Sequence, residues 1–286
     1  MFGNFSLYFY KVLKILDYII NLLTKRSFMS RFKEFLIEDS YKNILINKKE
    51  VMFFMPNSLI EYRLNTFFTK EPETLDWIRS FDSKKELIFW DIGANIGLYS
   101  IFAAITHSNC KIVSFEPSSN NLRSLTRNIS INRMEDRVKV FCNPLSDKND
   151  KFQMMQDNEF REGGALNSFG EKYNFEGKYQ NYNMKYKLLG KNIENILNNK
   201  ILEIPDYIKI DVDGIEHLIL EGAGHFLKDK KIKSISVEIN ENFKNQYERV
   251  LKILQINNFE FVQKKQNHEL QNSKFSKSFN YIFVKK

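Results

Sequence analysis

The stretch from Glu86 to Ile105 constrains this chain more than any other. Leu87 to Trp90 is an apolar run of strand length, and it stops at Asp91, followed by glycines at 93 and 97. An apolar-periodic helix begins after the second glycine. Gly93 and Gly97 let the backbone turn tightly and approach a ligand, while the free amides at the helix start favour a polar or anionic group there. Strand, glycine turn and helix in this order predict an α/β unit with a nucleotide-sized cradle.

Spacing selects the nucleotide. Asn95 stands where the dinucleotide fingerprint G-x-G-x-x-G needs its middle glycine, so NAD is disfavoured. Asp91-x-Gly93-x-x-x-Gly97 resembles instead the cofactor loop of S-adenosylmethionine-dependent methyltransferases. A second strand, Lys111 to Phe115, ends at Glu116, nineteen residues past Gly97, where a carboxylate can accept both ribose hydroxyl hydrogens.

With 286 residues the chain can bury one sizeable core, read as one catalytic domain behind an N-terminal extension. The expected division is residues 1–30 as an amphipathic helix, 31–85 as a strand and helix cap, and 86–286 as the catalytic domain. Cys110 and Cys142 form no metal or redox spacing and read as reduced residues of a cytoplasmic protein. A net charge of +8 predicts an acidic partner surface, whether anionic lipid, phosphorylated glycan or nucleic acid. In residues 2–23, Asn4, Lys11, Lys14, Asp17 and Asn21 recur along one stripe of an otherwise apolar helix. Three internal charges argue against a membrane span, and no cleavage site for a signal peptide follows. Two readings stand: a helix lying on the inner face of the membrane through residues 2–26, or one packed on the catalytic domain or a second copy.

Farther along, a strand is expected at Val51 to Met55 and a helix from Pro72 through Ile78, with Arg63 and Glu71 as candidate ligand contacts. Leu122, Leu125 and Ile129 mark a helix within 120–132, and Val138 to Cys142 a third strand. The turn after that strand would meet an adenine edge, with Ser146 and Asp147 as candidates. Residues 148–200 break the pattern. They read as a long polar and aromatic loop whose Tyr173, Tyr179, Tyr182 and Tyr186 suit stacking on sugar rings, followed by a short helix at Ile193 to Leu197.

Tyr207 to Ile210, a fourth strand, delivers Asp211, Asp213 and His217 to the same sheet edge. Methyl transfer to a hydroxyl is an in-line displacement that needs an aligned oxygen and a base for its proton. His217, with the ordinary pKa closest to neutrality, is the favoured base, beside Asp211 and Asp213. A metal held by Asp211, Asp213 and Glu238 lacks a specific ligand constellation, and none is expected. Ile232 to Val237, the helix face of Tyr247, Val250, Leu251 and Leu254, and an antiparallel pair at Phe259 to Gln263 and Tyr281 to Val284 complete the sheet.

Phe89 to Ser100, Ser114-Phe-Glu-Pro117, Pro144-Leu-Ser-Asp147, Tyr207 to Gly214 with Glu221-Gly-Ala223, and Val237-Glu-Ile239 together resemble the FkbM family of methyltransferases over about residues 70–285. The resemblance implies a class I methyltransferase fold: a Rossmann-like α/β domain with a mostly parallel seven-stranded sheet and an antiparallel edge strand. It implies S-adenosyl-L-methionine as cofactor, with Asp91, Gly93, Asn95, Gly97 and Glu116 in the cofactor role and Asp211 in the active site. Asp213 stands where the family often has Glu. The function expected is O-methylation of a sugar hydroxyl on a surface glycan or lipid-linked precursor. A small-molecule or glycan acceptor is therefore expected and nucleic acid is not, while self-association stays open. The rivals are an RNA or protein methyltransferase, and a non-catalytic membrane scaffold on the same fold.

Overall fold

The computed structural model describes residues 2–182, 184–266 and 272–286. Helices α1 (Phe2–Thr24) and α2 (Phe28–Glu38) come first, then a hairpin of β1 (Tyr41–Ile46) and β2 (Lys49–Phe54), then α3 (Ser58–Asn65), α4 (Phe67–Lys70) and α5 (Pro72–Arg79). The alternating part follows as β3 (Leu87–Ile92), α6 (Leu98–Thr106), β4 (Cys110–Phe115), α7 (Ser119–Ile131) and β5 (Val138–Phe141). Next come β6 (Lys151–Asp157), β7 (Ser168–Phe169), β8 (Met184–Gly190) and α8 (Ile193–Asn198). Last are β9 (Tyr207–Ile210), α9 (Glu216–Glu221), β10 (Ser234–Asn240), α10 (Lys244–Ile256), β11 (Phe259–Lys265) and β12 (Ser278–Lys285).

Seven of these strands form one sheet in the order β11-β12-β10-β9-β3-β4-β5. The five from β10 to β5 pair in parallel, and the antiparallel pairings, β10 with β12 and β12 with β11, lie at one edge. Chain reversal between β3 and β9 puts the switch point at the centre of the sheet, where ligands of such sheets bind. Alternation along β3 assigns its faces. Leu87 and Phe89 face α5, α6, α7 and the hairpin, while Ile88, Trp90 and Ile92 face α8, α9 and α10. Residues 41–79 share the first of these cores, and the hairpin is tied to α7 by the Phe54 amide donating to Asn128 Oδ1 at 2.8 Å.

Residues 148–200 are not the long loop expected. They hold a three-stranded antiparallel sheet, β7-β6-β8, with Lys151 paired to Gly190 and Asp157 to Met184. A pairing that spans some forty residues of chain leaves little local trace, because each strand alone is half polar. Three of the four tyrosines are held by contacts within the protein. Tyr182 is buried, Tyr186 donates to Asp157 Oδ2 at 3.2 Å, Tyr173 packs edge-on against Phe243, and Tyr179 points to solvent. Among the described residues, no helix is long and apolar enough to cross a membrane.

Candidate active site

Neighbouring strands β3 and β9 end level, Ile92 paired with Ile210, so their following turns lie side by side at the carboxyl edge of the sheet. Gly93 is the contact between them. Its φ is +86°, and a Cβ there would stand 1.9 Å from the carbonyl oxygen of Asp211, so only hydrogen fits. The Gly93 and Ala94 amides both donate to Phe115 O at 3.0 Å, which ties the turn to β4 as well. Gly93→Ala is expected to lower stability by about 2–4 kcal/mol and to abolish S-adenosylmethionine binding, since the methyl must push the two turns apart. Thermal unfolding and calorimetric titration of the variant check this.

A cleft of about 610 Å³ opens over Gly93 on the Trp90 side of the sheet, walled by Phe115, Leu145, Phe169 and Ile219. Glu116 faces it. The carboxylate receives the Asn95 amide on Oε2 and the Ser118 amide on Oε1, each at 2.8 Å, and each oxygen keeps a second lone pair for a ligand. Burial pushes the Glu116 carboxyl up to about 8, against those two amides. Asn95, at φ +52°, donates through Nδ2 to Gly164 O at 2.7 Å, while its buried Oδ1 has no hydrogen-bond partner among the described residues. One carboxylate, one unpartnered amide oxygen and apolar walls form an acceptor set that fits the hydroxyls and apolar faces of a nucleoside, so S-adenosylmethionine suits the cleft.

A second, larger cleft of about 1520 Å³ shares Gly93, Asn95, Ala165, Asp211 and Asp213 with the first. Its walls bring aromatic rings, Tyr62, Phe67, Tyr99, Phe175 and Phe275, together with Glu71, Glu238, Arg63 and Lys70. Lys209, buried in β9, donates to Asp211 Oδ2 at 2.8 Å and lies over the Tyr99 ring. Burial alone would lower the Lys209 ammonium, but Asp211, Asp91 and Glu71 hold it above its ordinary range. Burial likewise opposes the Glu71 charge, yet Lys70, then Lys209, hold its carboxyl down at about 2, and Tyr99 donates to it at 2.7 Å. Burial, then the neighbouring charge of Asp211, push Asp213 up to about 6, although the Leu166 amide donates to Asp213 Oδ2 at 2.6 Å. Burial also drives Glu238 well above the carboxylate range.

The turn carrying Asp211 and Asp213 is strained, with φ +65° at Asp213 and +132° at Gly214. Glu216 holds it in place. Its buried carboxylate accepts the Val212 amide at 3.1 Å, the Gly214 amide at 3.0 Å and the side-chain amide of Gln246.

Of the residues singled out from sequence, Gly93, Asn95, Glu116, Asp211 and Asp213 converge on the two clefts. Five do not. Asp91 lies wholly buried beneath the turn, where its Oδ2 accepts from Ser100 Oγ at 2.6 Å. Gly97, at φ +86°, sits where a Cβ would come within 2.6 Å of Leu125 Cδ1, so its role is packing α6 on α7. Ser146 turns inward, its amide bonded to Lys191 O at 3.0 Å, and neither it nor Asp147 lines a cleft; Asn143, Pro144 and Leu145 do. His217, on α9, is fully buried, edge-on to Phe243 with both ring nitrogens unpartnered among the described residues, and burial drives its pKa down to about 4. It faces α10 and not the clefts, because that helix covers the side of α9 that looks solvent-facing in the sequence. Lys209, Tyr99 and Asn121, which lines the first cleft and donates to Gly164 O at 3.1 Å, were not foreseen as site residues. A lysine inside an otherwise apolar strand was the one available signal.

A switch-point sheet with a glycine turn and a buried carboxylate facing the cleft fits the class I methyltransferase fold. The profile of the methyltransferase FkbM domain matches residues 91–261, more than half the chain, and the chain belongs to that family. A search of curated proteins returns no significant match. Among solved structures, a Streptococcus mutans protein described as a SAM-dependent methyltransferase superposes with a TM-score of 0.50 at 10% identity, over 86% of this chain and 55% of that one. Precorrin-6y C5,15-methyltransferase from Geobacter metallireducens is 14% identical, with a TM-score of 0.43 over 76% of this chain and 87% of its own. A Streptococcus pneumoniae protein described as a tRNA (m1A22) methyltransferase, crystallised with S-adenosyl-L-methionine, is 12% identical, with a TM-score of 0.42 over 74% of this chain and 72% of its own. At these identities the likeness concerns the fold.

Proposed function

We propose that this methyltransferase acts on a sugar hydroxyl of a surface glycan or of its lipid-linked precursor. The larger cleft carries the reading: aromatic rings for the apolar faces of a sugar stand beside carboxylates that accept hydrogen bonds from its hydroxyls. Glu116 receives the ribose hydroxyls, and the Gly93 to Asn95 turn supports the methionine end of the cofactor. When bound, S-adenosylmethionine supplies a methyl group activated on a sulfonium centre. Asp211, held by Lys209, would orient the acceptor hydroxyl, and Asp213 would take its proton as the oxygen bonds to the methyl carbon; the S–CH3 bond breaks and its electron pair leaves with the sulfur. Asp213 replaces His217 in the base role because it lines both clefts and its carboxyl is raised to about 6, close to working pH.

The test is transfer of labelled methyl to fractionated acceptors. Label is expected in saccharide, as an ether that survives mild base. Label in RNA or protein, or as a base-labile ester, overturns the reading.

A further inference from the structure

The first helix has no place in the mechanism and almost no protein around it. Every residue of α1 from Gly3 to Thr24 is exposed except Leu13 and Asp17, which are half-buried. Phe5, Tyr8, Phe9, Ile15, Leu16 and Leu23 are each 47–80% exposed. At about 100° per residue, Phe5, Tyr8, Phe9, Val12, Ile15, Leu16, Ile19, Ile20, Leu22 and Leu23 fall on one arc covering roughly half the circumference. The helix does not lie on the catalytic domain through that arc.

The charges on α1 say what covers it. Asp17, its acid, is engaged by α2: both its oxygens accept from Ser27 Oγ at 2.9 Å, and Oδ1 also accepts the Met29 amide at 3.1 Å. Asp17 therefore caps the next helix and holds the pair together. What remains on α1 and the turn after it is Lys11, Lys14, Lys25 and Arg26, none of which pairs with a carboxylate among the described residues. A cationic stripe beside a continuous apolar arc, on a helix with three internal charges, suits the plane of an anionic bilayer.

We infer that α1 docks this enzyme on an anionic lipid surface, its apolar arc in the headgroup boundary and its lysines against lipid phosphates. Full-length protein sedimented with phosphatidylcholine vesicles, with and without phosphatidylglycerol, tests this. Binding is expected only with phosphatidylglycerol, and it weakens at high salt. Leu16→Asp with Ile19→Asp, both at exposed positions, is expected to lower vesicle binding by about tenfold or more while methyl transfer to a soluble acceptor is unchanged. No vesicle binding by the parent overturns the proposal. So does a concentration-dependent dimer that the double variant abolishes while vesicle binding persists.

Discussion

Asn in place of Asp213 is expected to slow methyl transfer by about 10²- to 10⁴-fold while S-adenosylmethionine binding is largely kept, because proton removal is lost but a side chain of the same shape still lines the donor cleft. The exchange is nearly isosteric, and the side-chain oxygen of Asn can still accept the Leu166 amide that Asp213 now receives at 2.6 Å. The pH dependence gives the sign. A base must be ionised, and burial with the Asp211 charge raises this carboxyl to about 6, so the parental rate falls as pH drops through about 6. Asp213→Asn removes that limb. His217→Leu is the control: a residue buried against Phe243, with its pKa depressed to about 4, takes no proton from the acceptor, so rate and pH profile persist. Single-turnover rates across pH with the three proteins decide the matter, and a surviving limb in Asp213→Asn would sink the assignment.

Glu116→Ala is expected to weaken S-adenosylmethionine binding by about 100-fold, the loss of two hydrogen bonds to a charged acceptor. It also strands the Asn95 and Ser118 amides, each now bonded to the carboxylate at 2.8 Å. Glu116→Gln does not rescue, since its NH2 group must face one of those two donors. Burial raises the carboxyl to about 8 in the free protein, whereas two ribose hydroxyls favour the ionised form. Binding therefore expels a proton. Affinity should rise by up to about tenfold per pH unit below 8 and level off above it. Titrations in buffers of different ionisation enthalpy read the released proton directly, and Glu116→Gln should show none.

What was legible in the sequence was local. The run from Leu87 through Gly97 announces strand, turn and helix because an apolar run and a glycine spacing act within a dozen residues, and Glu116 follows from the length of one more unit. Asp211 and Asp213 come from the same logic at the next strand end. Contacts made across the chain were not legible. Lys209 meets Asp91 and Glu71 only after β9 slides between β3 and β10. Arg63, offered as a ligand contact, reaches the larger cleft while its Nε donates to Gly163 O at 2.7 Å, a hundred residues on. Ser146 and Asp147 missed by a few positions, because which residue of a turn faces a ligand depends on the backbone bonds that fix it. His217 misled because a six-residue helix has too little periodicity to show that α10 would cover it.

Gly93 and the Asp211 carbonyl, closed against each other across two adjacent strands, have a consequence for how such an enzyme diversifies. The distance from donor turn to acceptor turn is inherited from the sheet, about 4.8 Å per strand step, and not from a mobile lid. The rim of the larger cleft is separate stock, drawn from helices α3 and α4 and from the 158–175 excursion. A graft of that rim from another acceptor's enzyme should therefore transplant selectivity and leave the gauge between the two turns untouched.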